Sequence, residues 1–280
     1  MSRNGTPDLP AMADLLALMV KLRDPVEGCP WDRAQNFASI APHTLAEAYE
    51  VVDAIQTGEA PAKLREELGD LLFQVVFHAQ LAQERGWFDF DAVARTVHEK
   101  LVRRHPHVFG APGQAPVSWE ELKTRERAAA AAQDPTRAGV LVDVPRALPA
   151  LSRAQQLGKR AGQVGFDWTD MQDVRAKITE ELAELDEAAL ESPGHRSGGA
   201  APAAHLVEEL GDLLFAIANW SRHIGADAEG ALRAANFKFE RRFASMEALA
   251  RAREVTLNSL SLAQWEALWC EAKLAEREAP

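Results

Sequence analysis

Four carboxylates in the second half of the chain have the spacing of a metal site. Glu181 and Glu184 stand three residues apart in KITEELAELDEA, and Glu209 and Asp212 three apart in HLVEELGDLLF. Residues at i and i+3 share a helix face, so each pair points one way. Between them SPGHRSGGAAPAA, residues 192–204, cannot continue a helix, and the chain must turn back there. Two antiparallel helices then bring four acidic groups face to face, where they repel unless a cation lies among them. Hard oxygen donors point to Mg²⁺, Mn²⁺ or Ca²⁺ rather than to zinc or copper. A glutamate-rich helix is more often simply solvated on that face. Three features weigh against solvation here. Glu209 lies beside the apolar stripe Leu206, Leu210, Leu213 and Ile217. Gly211 sits mid-helix, at a cost of about 1 kcal/mol relative to Ala, which points to close approach of a partner or ligand. The pattern also occurs twice: Glu47 and Glu50, then Glu67 and Asp70, repeat it in the first half.

Cations follow the carboxylates. Lys177 lies one turn before Glu181, and Lys238 and Arg242 are four residues apart on one helix face. An ammonium and a guanidinium fork beyond a metal cluster suit a polyphosphate. Trp269 and Lys273, again four apart, are placed to stack on a base and reach a phosphate, although a tryptophan at helical spacing serves as core equally well. Other chemistries lack their parts. The i+3 partners are Glu and Asp where a di-iron bundle needs Glu-x-x-His. There is no GxxxxGK[ST], GxGxxG or GxSxG. His105 and His107 flank a proline at a helix end and read as capping or loop packing.

The elements that carry these residues are helical throughout. Expected helices cover about 10–23, 44–57, 62–85, 91–104 and 118 into the alanine run 128–132, then 150–161, the two carboxylate helices, 227–249 and 261 onward. Thr44 and Glu47 read as a capping box, which gives Glu47 a purely structural role, and Ser118 and Glu121 read as another. The turn-rich GCPWD loop has its counterpart in VGFDW. KLVRRH at Lys100 matches KFERRF at Lys238, and WEELK at Trp119 matches WCEAK at Trp269, in the same order as the carboxylate pairs. Such order implies a duplicated all-α unit: an N-terminal helical bundle over 1–132, a Pro/Gly-marked linker over 133–149, and a C-terminal bundle over 150–280.

The totals set limits. The chain has 280 residues, 47% apolar, and a net charge of −11 with no long basic run, which argues against a nucleic-acid partner. Two distant cysteines fit a reducing cytoplasm. No apolar run approaches the ~20 residues of a membrane helix, and LLALMV near the start is too short for a signal peptide. Helices such as 204–224 carry apolar residues beyond one stripe, which predicts a homodimer.

The stretches LRDPVEGCPWD, AEAYEVVDAI, EELGDLLFQVVFHAQ, FDFDAV and KLVRRHPHVFG, with GFDW, KITEELAEL, EELGDLLFA and NFKFERRF, resemble the MazG family of nucleoside triphosphate pyrophosphohydrolases over most of 14–125 and 150–273. The resemblance implies a dimeric, Mg²⁺-dependent all-α enzyme that cleaves nucleoside triphosphates to monophosphate and pyrophosphate. A dUTP or phosphoribosyl-ATP pyrophosphohydrolase, or a non-hydrolytic nucleotide-binding module, is the alternative. By motif position Glu181, Glu184, Glu209 and Asp212 become Mg²⁺ ligands, and Lys177, Lys238, Arg242, Trp269 and Lys273 nucleotide contacts. Glu180 completes an EExxE pattern and orients water or a second metal; with Lys238 and Arg242 it makes up the expected catalytic set. The first half has Ala46 where that pattern has its first glutamate and His43 where the second half has Lys177. Its Glu47, Glu50, Glu67 and Asp70 form a second metal set of doubtful turnover.

Overall fold

The computed structural model describes residues 9–58, 60–110, 117–191 and 202–278, and they are helical with no strand among them. The chain divides into two compact units, residues 1–123 and 124–280.

In the first unit α1 (Pro10–Leu22) leads through the short α2 (Pro30–Ala34) to α3 (Phe37–Gln56) and α4 (Pro61–Glu84). The α3–α4 hairpin is the centre, and α1 lies against α4. Then come α5 (Phe90–Arg104), the single turn α6 (Pro106–Phe109) and α7 (Trp119–Gln133), within which the division between the units falls. Prolines open α1, α2, α4 and α6, where a missing N–H costs nothing. The core is Met19, Ile40, Val76, Phe77 and Leu81, flanked by Leu15, Leu16, Phe37, Phe73 and Phe90.

Three details differ from expectation. Thr44 does not start a helix. Asn36 does: its side chain accepts from the Ala38 and Ser39 backbone N–H groups, and the Asn36 N–H in turn donates to Ser39 Oγ. Pro42 is carried inside α3 near its start, and Thr44 Oγ1 donates to the Ile40 carbonyl and meets His78 Nε2 at 2.9 Å. Glu47 is therefore not a capping residue. The alanine run 128–132 stays helical to Gln133. A Cβ at Gly211, or at Gly69 on α4, would meet nothing within 4 Å among the described residues.

The stretch 133–149 holds a 3-10 turn at Pro135–Arg137 and no α-helix beyond Gln133. The second unit then has α8 (Ala150–Gly162), α9 (Met171–Glu191), α10 (Ala204–His223), α11 (Ala228–Ala252) and α12 (Leu262–Glu278). The turn expected at 192–204 lies mostly outside the described residues, but α9 and α10 pack as a hairpin, with α8 against α10 and α12 against α11. Small residues, Ala154, Ala218 and Ala228, form the core where α8, α10 and α11 meet. A second cluster, Met246, Ala250, Leu268 and Ala272 with Phe243, Trp265 and Trp269, joins α11 to α12. The matched loops are pinned differently. Arg23 holds the first by donating to the Gln35 carbonyl at 3.3 Å while gripping Glu84 with two bonds of 2.6 Å. Asp167 holds the second by accepting from Arg222 at 2.6 Å beside His223 at 3.1 Å.

Candidate active site

Each hairpin brings carboxylates from two helices together. In the second unit, oxygens of Glu181 and Glu184 from α9 and Glu209 from α10 all lie within 4.8 Å of one another; in the first, Glu47 and Glu50 from α3 and Glu67 from α4 do the same. Asp212 and Asp70, one turn further along, lie outside these trios and are exposed. The six clustered glutamates are thus placed as their spacing predicts, and the two aspartates flank them.

The electrostatics are those of crowded anions. Desolvation, then the charges of Glu181 and Glu209, hold Glu184 above the ordinary carboxylate range. Desolvation, then Glu50, Asp70 and Glu67, do the same to Glu47. One member of each trio is buried: Glu181 is 6% exposed and Glu67 2%. A buried carboxylate needs a counter-charge, and in each case a lysine one turn earlier supplies it. Lys177 Nζ lies 2.8 Å from both Glu180 and Glu181, and these bonds raise its pKa. In the first unit the lysine is Lys63, on α4, paired with Glu67 and 3.5 Å from Glu66. Sequence reading missed Lys63, although its signal was present: KLREE repeats the spacing of KITEE. His43 and His205 hold the remaining pre-glutamate positions, His205 Nδ1 lying 3.3 Å from Glu209.

The nucleotide-contact candidates other than Lys177, which is on α9, occupy the α11–α12 pair. Arg242 lies over the Trp269 ring, 5.5 Å from its centroid, and donates from Nε to Glu276 at 2.7 Å. Trp269 packs against the Met246 cluster with Phe239 at 5.7 Å, so it serves the core as well as offering a face. Lys238 and Lys273 have no hydrogen bond or ion pair among the described residues. Trp269 thus lies beside α11 and α12 cations still able to take an anion. In the first unit Arg104 lies 4.4 Å from the Trp119 ring centroid, with Lys123 at 5.6 Å. There α5 ends at Arg104, and Trp119 stays 45% exposed. His105 closes α5, its Nδ1 2.7 Å from the Leu101 carbonyl.

Each helical hairpin thus sets three hard oxygen donors together, a candidate seat for a divalent cation, while α11 of the second unit packs on α8, α10 and α12. The family model of the MazG nucleotide pyrophosphohydrolase domain matches residues 35–109, the stretch that holds the first trio. A nucleoside triphosphate pyrophosphohydrolase of Escherichia coli K12 is 47% identical over 267 residues, 94% of this chain and 97% of that protein. A nucleoside triphosphate pyrophosphohydrolase/pyrophosphatase MazG of Thermotoga maritima is 44% identical over 261 residues, 93% of this chain and 94% of its own length. With carboxylate hairpins in both halves and likeness running nearly end to end, the chain belongs to the MazG family of nucleoside triphosphate pyrophosphohydrolases.

Proposed function

We propose that this hydrolase works with Mg²⁺ held on the α9–α10 hairpin, Mn²⁺ being a chemically adequate substitute, and that the second unit carries most of the turnover. The reaction is hydrolysis of a nucleoside triphosphate at a phosphoric anhydride, releasing the monophosphate and pyrophosphate. The observation that carries the metal assignment is the trio Glu181, Glu184 and Glu209. It offers only hard oxygens, with neither histidine nor cysteine in the set, and these suit Mg²⁺. Asp212 extends the set from α10. The ion supplies charge neutralisation and Lewis acidity when bound.

The chain's own residues do the rest. Lys177, which spans Glu180 and Glu181, balances their charge and would offer its ammonium to a phosphate. Glu180 would orient water. Lys238 and Arg242 hold the polyphosphate and stabilise charge on the departing pyrophosphate. Trp269 gives the base a partial face and Lys273 a further cation. The packed α11–α12 arm favours the second unit over the first, where the matching arginine ends its helix. Glu47, Glu50, Glu67 and Asp70 retain cation binding.

Dimerisation belongs to the same reading. α4 exposes Leu68, Leu72 and Val75, and α10 exposes Leu210, Leu214 and Phe215, faces that a second copy covers. No described helix is long and apolar enough to cross a membrane. The free Cys29 and Cys270 suit the reducing cytoplasm, and the net negative charge disfavours nucleic acid. Pyrophosphate release is to be measured across the common ribo- and deoxyribonucleoside triphosphates, with Mg²⁺ and with a chelator. Release that requires the ion is expected. Undiminished turnover in chelator overturns the metal assignment.

A further inference from the structure

The arginine assigned to the phosphates is itself held in place. Glu276, one residue from Arg277 near the end of α12, receives two arginines of α11 on its two oxygens: Arg241 Nη2 on Oε1 and Arg242 Nε on Oε2, both at 2.7 Å. These three residues line an open groove of about 330 Å³ with Ser245, Ala272 and Ala275. The bond to Glu276 uses the inner Nε–H of Arg242, and the guanidinium lies over the Trp269 ring with its Cζ 5.5 Å from the centroid. Both Nη groups of Arg242 are left without an acceptor among the described residues. A planar fork gripped at one end and lying over an aromatic ring keeps its outer edge for a bidentate anion. The sequence repeat carries the same parts. Glu126 stands seven residues after Trp119 as Glu276 does after Trp269, and Arg103 and Arg104 match Arg241 and Arg242.

We propose that Glu276 is a positioning residue for the pyrophosphohydrolase reaction: it sets the Arg242 guanidinium against Trp269 with its outer edge turned to the polyphosphate. The assignment rests on the nucleotide-binding role given to Arg242 above. Hydrogen bonds from Arg241 first, and Arg242 second, hold the Glu276 carboxyl below the ordinary carboxylate range, so the clamp stays charged wherever the enzyme works. Without the clamp, a long side chain must be ordered at the moment of binding.

The test uses the full chain with Mg²⁺ and ATP, following pyrophosphate release for Glu276→Ala, Glu276→Gln, Arg242→Ala and the double variant Arg242→Ala with Glu276→Ala. Circular dichroism and Tm verify folding. Glu276→Ala is expected to lower kcat/KM about tenfold, the scale of one misplaced charge-assisted bond. Glu276→Gln, which keeps an acceptor for Arg242 and the same volume, recovers part of that loss. The double variant is expected to equal Arg242→Ala alone, because the glutamate acts only through the arginine. If Arg242→Ala turns over ATP like the unaltered protein, the reading of the arm falls and takes this proposal with it. If Arg242→Ala is impaired while Glu276→Ala is unimpaired or faster, or if the two losses multiply in the double variant, the positioning role alone is overturned.

Discussion

The two carboxylate hairpins differ in which helix brings the cation. In the second unit Lys177 on α9 neutralises Glu181, the buried member of its trio, and the matching position before Glu209 on α10 is His205. In the first unit the roles are exchanged: Lys63 on α4 neutralises the buried Glu67, and the position before Glu47 on α3 is His43. Compared motif by motif, the first site has a histidine, His43, at the lysine's position. Compared as assembled hairpins, each has one lysine, one histidine and one buried glutamate. Charge balance in such a cluster belongs to the pair of facing helices, because a lysine one turn below either strand of glutamates reaches the same group of oxygens. The arms can be described side by side: Arg242 bonds Glu276 and packs with the α11–α12 core, and Arg104, the last residue of α5, lies over Trp119, which is 45% exposed.

The comparison is broken most directly by disarming each trio. Glu181→Gln with Glu184→Gln is expected to cut pyrophosphate release about a hundredfold or more, and Glu47→Gln with Glu50→Gln to leave most of it, provided both proteins keep the helical circular dichroism of the original. The reverse ranking refutes the assignment of the principal site, and equal losses mean that the two act as one. The lysine exchange is sharpened by Lys63→Met and Lys177→Met. Each leaves a buried glutamate without its counter-charge, so Tm should fall by about 2–4 °C, more for Lys63 because Glu67 is the deeper. Added Mg²⁺ should restore it in each, since the ion supplies the missing charge. A Tm that ignores Mg²⁺ in both variants means neither trio binds it.

The proposed dimer gives the next effect. Leu214→Asp, on the exposed face of α10, should shift the protein to the monomer in light scattering; an unchanged mass places the interface elsewhere. The smallest effect concerns the second loop. Arg222, and to a lesser degree His223, hold the Asp167 carboxyl below its ordinary 3.8. A depressed carboxylate contributes stability that is complete above the unfolded pKa and disappears as pH falls through the folded one. Asp167→Asn should therefore lower Tm slightly at pH 7, and its difference from the unaltered protein should vanish as pH drops below about 3.8. A difference that persists in acid assigns the loop's stability to packing.

Most of this architecture was legible because helix faces and stops are local. The carboxylate pairs, α4 ending before Gly86 and the order of the repeat need only i, i+3 and i+4 reasoning and a breaker. The start of α3 was not, because Pro42 reads as a break. Near a helix start it removes only one backbone bond, to the Ala38 carbonyl, and the Asn36–Ser39 capping box outweighs that loss. Lys63 does not emerge from matching positions between the halves, because it stands on the second helix of its hairpin where Lys177 stands on the first. The Arg242–Glu276 bond joins residues far apart in sequence, so no periodicity reveals it; only the equal offset of Glu126 and Glu276 from their tryptophans hints at it.

The alanine-lined contact of α8 with α10 and α11 has a consequence for how the two units tolerate change. Gly158 lies so close to α10 that an added Cβ would fall 2.6 Å from Asn219 Oδ1, and Ala218 beside it is fully enclosed. Growth is the hazard there: an added methyl forces helices apart, at about 1–3 kcal/mol. In the first unit, Phe77, Met19 and Ile40 fill the centre, and shrinkage is the hazard, at about 3–5 kcal/mol for Phe77→Ala. The two units thus accept opposite kinds of substitution.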